Sequence, residues 1–252
     1  REMNNPLQLP IFKRISRLVD ERGVEAYVVG GYVRDYYLHR PSSDIDVVVV
    51  GSGVAVAEEL AKELNAKVTI FKTYGTAMLR WHDTEVEFVG ARRESYTPES
   101  RNPHVEPGTL EDDQNRRDFT INAMAICLNA NRFGELVDPF DGVLDLEDRI
   151  ISTPLEPGIT FSDDPLRMMR CIRFATQLRM CIEDETQQAL ERNAQRISII
   201  SQERMVEALK RILGLKAAKG MHKMAKEELC GSDEELAAAL QNPEFQAYAP
   251  AI

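Results

Sequence analysis

Hydrophobic positions near the start of the chain repeat with the spacing of an amphipathic helix. Ile11, Ile15, Leu18 and Val19 share one helical face, and the pattern stops at Gly23. Because glycine commonly ends helices, the sequence predicts a helix that finishes there.

Apolar runs and helical repeats then alternate along the chain up to about residue 90. They predict a strand at 24–29, a helix at 33–38, a strand at 45–50, a helix at 54–64 and strands at 66–71, 76–81 and 85–89. Strands that alternate with helices in this way are typical of an α/β fold with a mixed sheet.

The following segment is predicted from composition rather than from periodicity. Residues 92–112 are polar and contain three prolines, which indicates a long loop of the kind that often carries function. A helix is predicted at 119–128 and a last short strand at 135–137.

The pattern changes after Gly142, where helical spacing replaces strand-like runs. Helices are predicted at 165–178, 183–193 and 202–213. We therefore expect an α/β head at 1–142, an all-α neck at 143–214, and a partial helical body or truncated tail at 215–252.

Composition and charge restrict the function classes. The 252 residues carry a formal net charge of −10, which argues against tight non-specific binding to nucleic acid. Basic residues are nevertheless clustered, at 92–93, 116–117 and again at Arg167, Arg170 and Arg173. The longest purely apolar run is too short to cross a bilayer and no secretory signal opens the chain, so we expect a cytoplasmic protein without membrane association.

Asp44 and Asp46 form the first motif that could carry chemistry. Side chains alternate along a strand, so the two carboxylates point to the same face. Their mutual repulsion is relieved when a cation lies between them, and Mg²⁺ commonly takes one or two carboxylates together with phosphate oxygens. Taken alone, Asp-x-Asp more often marks a solvated strand end than a metal site.

Gly30 and Gly31 form the second motif, between a predicted strand and a predicted helix. Glycines allow a backbone to approach a phosphate closely, and helix N-terminal amides attract anions. Arg34 lies in the following turn and could bind a triphosphate. No Gly-Lys-Ser/Thr follows, so the segment is not a Walker loop.

Together these motifs resemble the DNA polymerase beta-like nucleotidyltransferase superfamily, and within it the branch of class II CCA-adding enzymes and bacterial poly(A) polymerases. Besides the glycine motif and the segment Ser43-Asp44-Ile45-Asp46, the resemblance rests on the segments Asn115–Ala123, Asp138–Gly142 and Asp163–Arg167. The match covers roughly residues 23–214.

The resemblance implies a role for each motif. Asp44 and Asp46 would hold Mg²⁺ as catalytic residues, and Gly30, Gly31 and Arg34 would contact the nucleotide triphosphate. The nucleotide's sugar and phosphates would be bound by a segment whose candidate residues are Arg116, Arg117, Asp118 and Asn122. Glu87 is a candidate third carboxylate, and Glu85 shares its strand face.

Asp164 and Arg167 are predicted to lie on one helix face and to select the base. Cytosine and adenine both present an amino donor beside a ring-nitrogen acceptor, and uracil and guanine present the reverse. A carboxylate beside a guanidinium therefore accepts C and A and rejects U and G. Arg170 is a further nucleotide-binding candidate.

The expected activity is template-independent addition of C and A to the 3′ end of tRNA from CTP and ATP, with release of pyrophosphate. Four alternatives remain open: a poly(A) polymerase, a CC-only enzyme, an A-only enzyme and an inactive RNA-binding relic. A long basic tail is usual in a poly(A) polymerase, and this acidic chain has none, which favours CCA addition.

Overall fold

The structure is a computed structural model that describes residues 5–40, 42–72, 75–99 and 103–193. The chain divides into two compact units, Arg1–Glu94 with Val105–Leu146, and Ser95–His104 with Glu147–Ile252. The predicted division at residues 142 and 214 stays a prediction, and the predicted helix at 202–213 lies outside the described residues.

Ten strands and helices precede the polar segment's end and six more follow it up to residue 148, with their bounds given in chain order. They are α1 (Pro10–Arg22), β1 (Ala26–Val29), α2 (Gly31–Tyr37), β2 (Asp44–Val49), α3 (Gly53–Leu64), β3 (Lys67–Phe71), β4 (Thr76–Trp81), β5 (Thr84–Gly90), β6 (Arg92–Ser95), β7 (His104–Pro107), α4 (Leu110–Asn115), a 3-10 helix (Thr120–Asn122), β8 (Ala125–Cys127), a second 3-10 helix (Ala130–Arg132), β9 (Leu136–Val137) and α5 (Gly142–Asp148).

Seven strands of the first unit form one sheet in the order β3-β4-β5-β2-β1-β8-β9. Strands β2 and β5 run parallel, and the other neighbours are antiparallel, so the expected mixed sheet is confirmed. All four residues of β1 are buried, as are Val47, Val48 and Val49 of β2. Helix α3 packs on β2, β4 and β5, which explains why these strands are apolar in continuous runs.

The predicted helix at 119–128 is wrong. The segment forms the 3-10 helix at Thr120–Asn122 and then strand β8, which pairs with β1. Residues 118–128 are all buried, so no polar face distinguishes a helical period from a strand period. Pairing with β1, which is distant in sequence, decided the conformation.

The long loop predicted at 92–112 also needs correction. It contains β6 and β7, which pair as a two-stranded sheet, and the first turn of α4. The two strands are rich in charged side chains and carry no hydrophobic alternation. Periodicity therefore had no signal to detect there.

Beyond residue 148 the described elements are β10 (Ile150–Ile151), α6 (Pro157–Asp163), α7 (Leu166–Gln177), β11 (Cys181–Ile182) and α8 (Asp184–Asn193). Helix α6 packs on α7 and α8. The sequence pattern missed α6 and the parallel pair β10–β11, whose strands are too short to show alternation. In the part of the chain that the structure describes, no helix combines the length and hydropathy needed to cross a membrane.

Candidate active site

Two acidic strand positions lie directly beside two others at the edge where β2 begins. The parallel pairing of β2 and β5 sets Asp44 opposite Glu85 and Asp46 opposite Glu87. Since paired residues of neighbouring strands point to the same face, the four carboxylates share one face of the sheet. The predicted orientation of Asp44 and Asp46 agrees with this register.

Asp46 lies in the least favourable surroundings for an anion. Burial raises its pKa to about 6, Glu87 and Asp44 raise it further, and Arg117 opposes the shift. A carboxylate whose charged form is disfavoured in this way is stabilised by a nearby cation. The donor set therefore fits a hard divalent ion.

Glu85 and Glu87 differ in what already binds them. Glu85 accepts a hydrogen bond from Arg80 on β4 at 3.4 Å, whereas Glu87 lies next to Asp46 and raises its pKa. Among the described residues, no group of three His, Cys, Asp or Glu side chains is arranged to hold a metal ion. Asp44 and Asp46 still fit an Mg²⁺ ion that takes its remaining ligands from phosphate oxygens and water.

The glycine turn lies against the same carboxylate. Gly30 has φ 71° and ψ −140°, and a Cβ placed on it would lie 3.8 Å from Asp46 Oδ2 and 3.5 Å from Arg117 Nη1. Only glycine adopts this conformation readily. The backbone therefore turns closely past Asp46 and Arg117.

Arg34 is connected to the ribose-binding candidates by hydrogen bonds. Its Nη1 donates to Asn122 Oδ1 at 2.8 Å, and Asn122 Nδ2 donates to Asp118 Oδ1 at 3.2 Å. Asp118 also accepts from the Phe119 amide at 2.7 Å. Because each side chain holds the next, three of the predicted residues form one preorganised polar network.

Arg116 and Arg117 share a single carboxylate. Arg116 binds Asp113 Oδ1 at 2.8 Å through Nη2, and Arg117 binds Asp113 Oδ2 at 2.9 Å through Nη2. Although burial opposes its ionisation, the two guanidinium groups hold the pKa of Asp113 below its ordinary value. Asp113 is thus an anion at neutral pH.

Strand register explains why these segments meet. The last residue of β1, Val29, pairs with Asp46 on one side and with Ala125 on the other. The glycine turn follows β1 directly, and the segment 113–124 leads directly into β8. The sheet therefore brings the first two predicted motifs and the arginine segment to one edge.

Sequence reasoning missed two acidic residues of this network. Asp113 is fully buried, and Glu94, with 4% of its side chain exposed, binds Arg92 at 2.8 Å and lies 3.8 Å from Arg116. A signal existed for Asp113, because it precedes Arg116 and Arg117 by three and four residues on a helix. Glu94 is distant in sequence from Arg116, and no local pattern connects the two.

The prediction that Asp164 and Arg167 lie on one helix is wrong. Asp164 has an extended backbone, with φ −136° and ψ 100°, in the break between α6 and α7. The cause is Pro165, since proline disfavours the helical conformation in the residue before it. Asp164 Oδ1 instead accepts from the Leu166 amide at 3.2 Å, at the start of α7.

Arg167 is held inside the second unit. It is 9% exposed, its Nη1 donates to the Thr160 carbonyl at 3.2 Å, and its Nη2 donates to Tyr96 Oη at 3.3 Å. Its guanidinium lies 5.6 Å from the centre of the Tyr96 ring. Arg170 lies one turn further along α7, with its guanidinium 5.1 Å from the Phe174 ring.

Two family models match the chain. The model described as poly A polymerase head domain matches residues 26–152, and the model described as probable RNA and SrmB-binding site of polymerase A matches residues 179–230. The first match contains the carboxylates, the glycine turn and the arginine segment.

Curated relatives are similar over most of the chain. An A-adding tRNA nucleotidyltransferase of Aquifex aeolicus is 42% identical over 168 residues, which cover 67% of this chain and 20% of that protein. A CCA-adding enzyme of Lactobacillus delbrueckii subsp. bulgaricus is 37% identical over 201 residues, which cover 79% of this chain and 48% of that protein. The chain thus spans between a fifth and about half of the length of these relatives.

Solved structures share the fold. A tRNA nucleotidyltransferase complexed with a primer tRNA and an incoming ATP analogue superposes with a TM-score of 0.70 at 33% identity, covering 85% of this chain and 59% of that one. A CCA-adding enzyme in complex with CTP gives a TM-score of 0.69 at 32% identity, covering 86% of this chain and 49% of that one.

Proposed function

Because the chain belongs to the nucleotidyltransferase family of CCA-adding enzymes and bacterial poly(A) polymerases, we propose that it adds C and A to the 3′ end of tRNA from CTP and ATP. The observation that carries the proposal is the convergence of Asp46, Gly30 and Arg117 at one sheet edge. A cytoplasmic location stays a prediction.

The proposed reaction is an in-line attack of the RNA 3′ hydroxyl on the α-phosphate, with pyrophosphate as the leaving group. Mg²⁺ held by Asp44 and Asp46 would activate the hydroxyl and neutralise the charge on the pyrophosphate. The backbone at Gly30 and Gly31, with Arg34, Arg116 and Arg117, would bind and orient the triphosphate. Asp118 and Asn122 would bind the ribose.

We assign Glu87 rather than Glu85 as the candidate third carboxylate. Glu85 is exposed and bound to Arg80, whereas Glu87 faces Asp46 across the strand pair. Glu87 is therefore the carboxylate whose field acts on the proposed metal site.

Base selection is assigned to Asp164 and Arg167, with Arg170 as a further nucleotide contact. A carboxylate that accepts the amino proton and a guanidinium that donates to the ring nitrogen select C and A. The contacts of Arg167 with Thr160 and Tyr96 support a fixed guanidinium plane, which such selection needs.

A-only addition is the second candidate function. It is supported by A-adding relatives at 42% and 35% identity. CC-only addition and poly(A) synthesis use the same proposed residues. An inactive relic is the weakest alternative, because both proposed metal ligands, Asp44 and Asp46, are present.

The test is incorporation into tRNA transcripts that end at the discriminator base, at C or at CC. Each transcript is incubated with Mg²⁺ and one labelled nucleotide at a time, and the products are sized at single-nucleotide resolution. CCA addition predicts C on the first two transcripts and A on the third. Incorporation of A alone on the CC transcript would support the A-adding alternative, long A tracts would support poly(A) synthesis, and no incorporation on any transcript would contradict a nucleotidyltransferase.

Gly30→Ala is expected to lower both stability and incorporation. The conformation of Gly30 should cost an L-residue about 1–3 kcal/mol, and the new methyl group would lie against Arg117 and Asp46. The free energy of unfolding and kcat/KM are measured for the same preparation.

Gly23→Ala is the control for this substitution. Gly23 also has a positive φ, 67°, but a Cβ placed on it meets no atom within 4 Å. It should lose about 1 kcal/mol of stability and keep its kcat/KM. Equal activity losses in the two variants would mean that the close approach at Gly30 is unimportant.

A further inference from the structure

Asp113 holds two neighbouring arginines by the same edge of each guanidinium. Arg117 donates Nε and Nη2 to Asp113 Oδ2 at 3.2 and 2.9 Å. Arg116 donates Nε and Nη2 to Asp113 Oδ1 at 3.1 and 2.8 Å. Each contact uses two donors, so it fixes the plane of the guanidinium and leaves Nη1 outside the contact.

The direction of the remaining Arg117 donor is set by this contact. Nη1 lies 3.5 Å from the Cβ position of Gly30, and Asp46 Oδ2 lies 3.8 Å from the same point. Nη1 therefore faces the corner between the glycine turn and the proposed metal-binding carboxylate.

The charges around Asp113 do not cancel. Glu94 contacts Arg92 at 2.8 Å and Arg116 at 3.8 Å, while Arg117 shares Asp113 with Arg116. These three arginines face two buried carboxylates, which leaves one positive charge in excess. Since Glu94 acts on the other two arginines, the excess is concentrated on Arg117.

We propose that Asp113 is a positioning residue that aims Arg117 at the phosphate chain of the incoming nucleotide. Asp113 does not touch the nucleotide, and it acts by fixing the guanidinium plane of Arg117. This inference rests on the proposed function, because the proposed function supplies the nucleoside triphosphate.

A double-mutant cycle on the full chain tests the coupling. Asp113→Asn removes the charge that holds Arg117, and Arg117→Ala removes the guanidinium itself. Each change is expected to lower kcat/KM for CTP by about ten- to a hundredfold. The double variant should be no worse than Arg117→Ala alone, because Asp113 acts through Arg117. Multiplying effects would overturn the proposal.

Asp112→Asn is the matched control on the same helix. Asp112 closes the capping box with Thr109 at the start of α4 and makes no hydrogen bond to Arg117 in that motif. It should lower the melting temperature and leave kcat/KM for CTP close to the wild-type value. A loss of activity as large as that of Asp113→Asn would show that helix stability is responsible, and would overturn the aiming role.

Equilibrium binding separates positioning from a purely structural role. The affinities of CTP and of cytidine are measured in Mg²⁺ without tRNA, so no transfer occurs. Asp113→Asn should weaken CTP binding and leave cytidine binding unchanged, since Arg117 is aimed at phosphate. Equal weakening of both ligands would overturn the proposal.

Arg117→Lys keeps the inference testable if Asp113→Asn does not fold. Lysine retains the positive charge but lacks the two-point contact, so kcat/KM should fall nearly as far as in Arg117→Ala. Wild-type activity in Arg117→Lys would mean that charge alone suffices and that aiming is unnecessary. If the wild-type protein adds neither C nor A, the proposed function fails separately, and the comparison of CTP with cytidine still decides the inference.

Discussion

Asp46→Asn is expected to lower kcat by about a thousandfold for all four nucleotides alike. The substitution keeps the size of the side chain but removes one of the two carboxylates proposed to hold Mg²⁺. Loss of metal-based charge stabilisation costs several kcal/mol in the transition state, and about 4 kcal/mol corresponds to a thousandfold in rate. Metals do not distinguish bases, so the preference among the nucleotides should be retained. Single-nucleotide incorporation at saturating Mg²⁺ measures both quantities.

Glu85→Gln is the matched control for Asp46→Asn. Glu85 carries the same charge on the same sheet face, but it is exposed and bound to Arg80. Its loss should leave kcat nearly unchanged. Near-normal kcat in Asp46→Asn would show that the metal assignment is wrong. A loss in Glu85→Gln as large as in Asp46→Asn would show that overall negative charge on this face matters more than Asp46 itself.

Arg167→Ala is expected to lower kcat/KM for both CTP and ATP by about ten- to a hundredfold. Both bases offer a ring-nitrogen acceptor to the guanidinium, and one charge-assisted hydrogen bond is worth about 1.5–3 kcal/mol. The gap between CTP and UTP should narrow, because the donor that disfavours the uracil N–H is gone. The measurement is single-nucleotide incorporation with CTP, ATP, UTP and GTP.

Stability must be followed in the same experiment because Arg167 is also buried. Its hydrogen bonds to Thr160 and Tyr96 disappear with it, so the free energy of unfolding should fall as well. Arg192→Ala removes an exposed arginine from α8 in the same unit and controls for loss of charge. If Arg167→Ala keeps its preference for C and A over U, Arg167 is structural and base selection lies elsewhere.

The strands of the head were predictable from local sequence where one chemical signal dominates. Val47, Val48 and Val49 form a continuous apolar run that indicates a strand buried on both faces. Gly23 marked the end of α1 because few other residues adopt its left-handed conformation. Such features depend on neighbouring residues only, and a pattern along the chain contains them.

Elements without such a local signal were predicted wrongly. Strand β8 lies in a segment that is buried throughout, where helical and strand spacing look alike. Strands β6 and β7 are polar, and their pairing with each other is what makes them strands. Asp164 was assigned to a helix although Pro165 follows it, and the local rule for the residue before proline was available in the sequence.

The sequence by itself determined the chemical character of the candidate site. Strand alternation alone places Asp44 and Asp46 on one face, and Gly30 supplies a conformation that few other residues can adopt. Only the tertiary structure decided which distant residues surround them. The register of β5 sets Glu87 beside Asp46, and burial of Asp113 turns an ordinary helix pair into a shared anchor for Arg116 and Arg117. The physical reason is that pKa shifts and fixed guanidinium planes arise from burial and from contacts between segments distant in sequence.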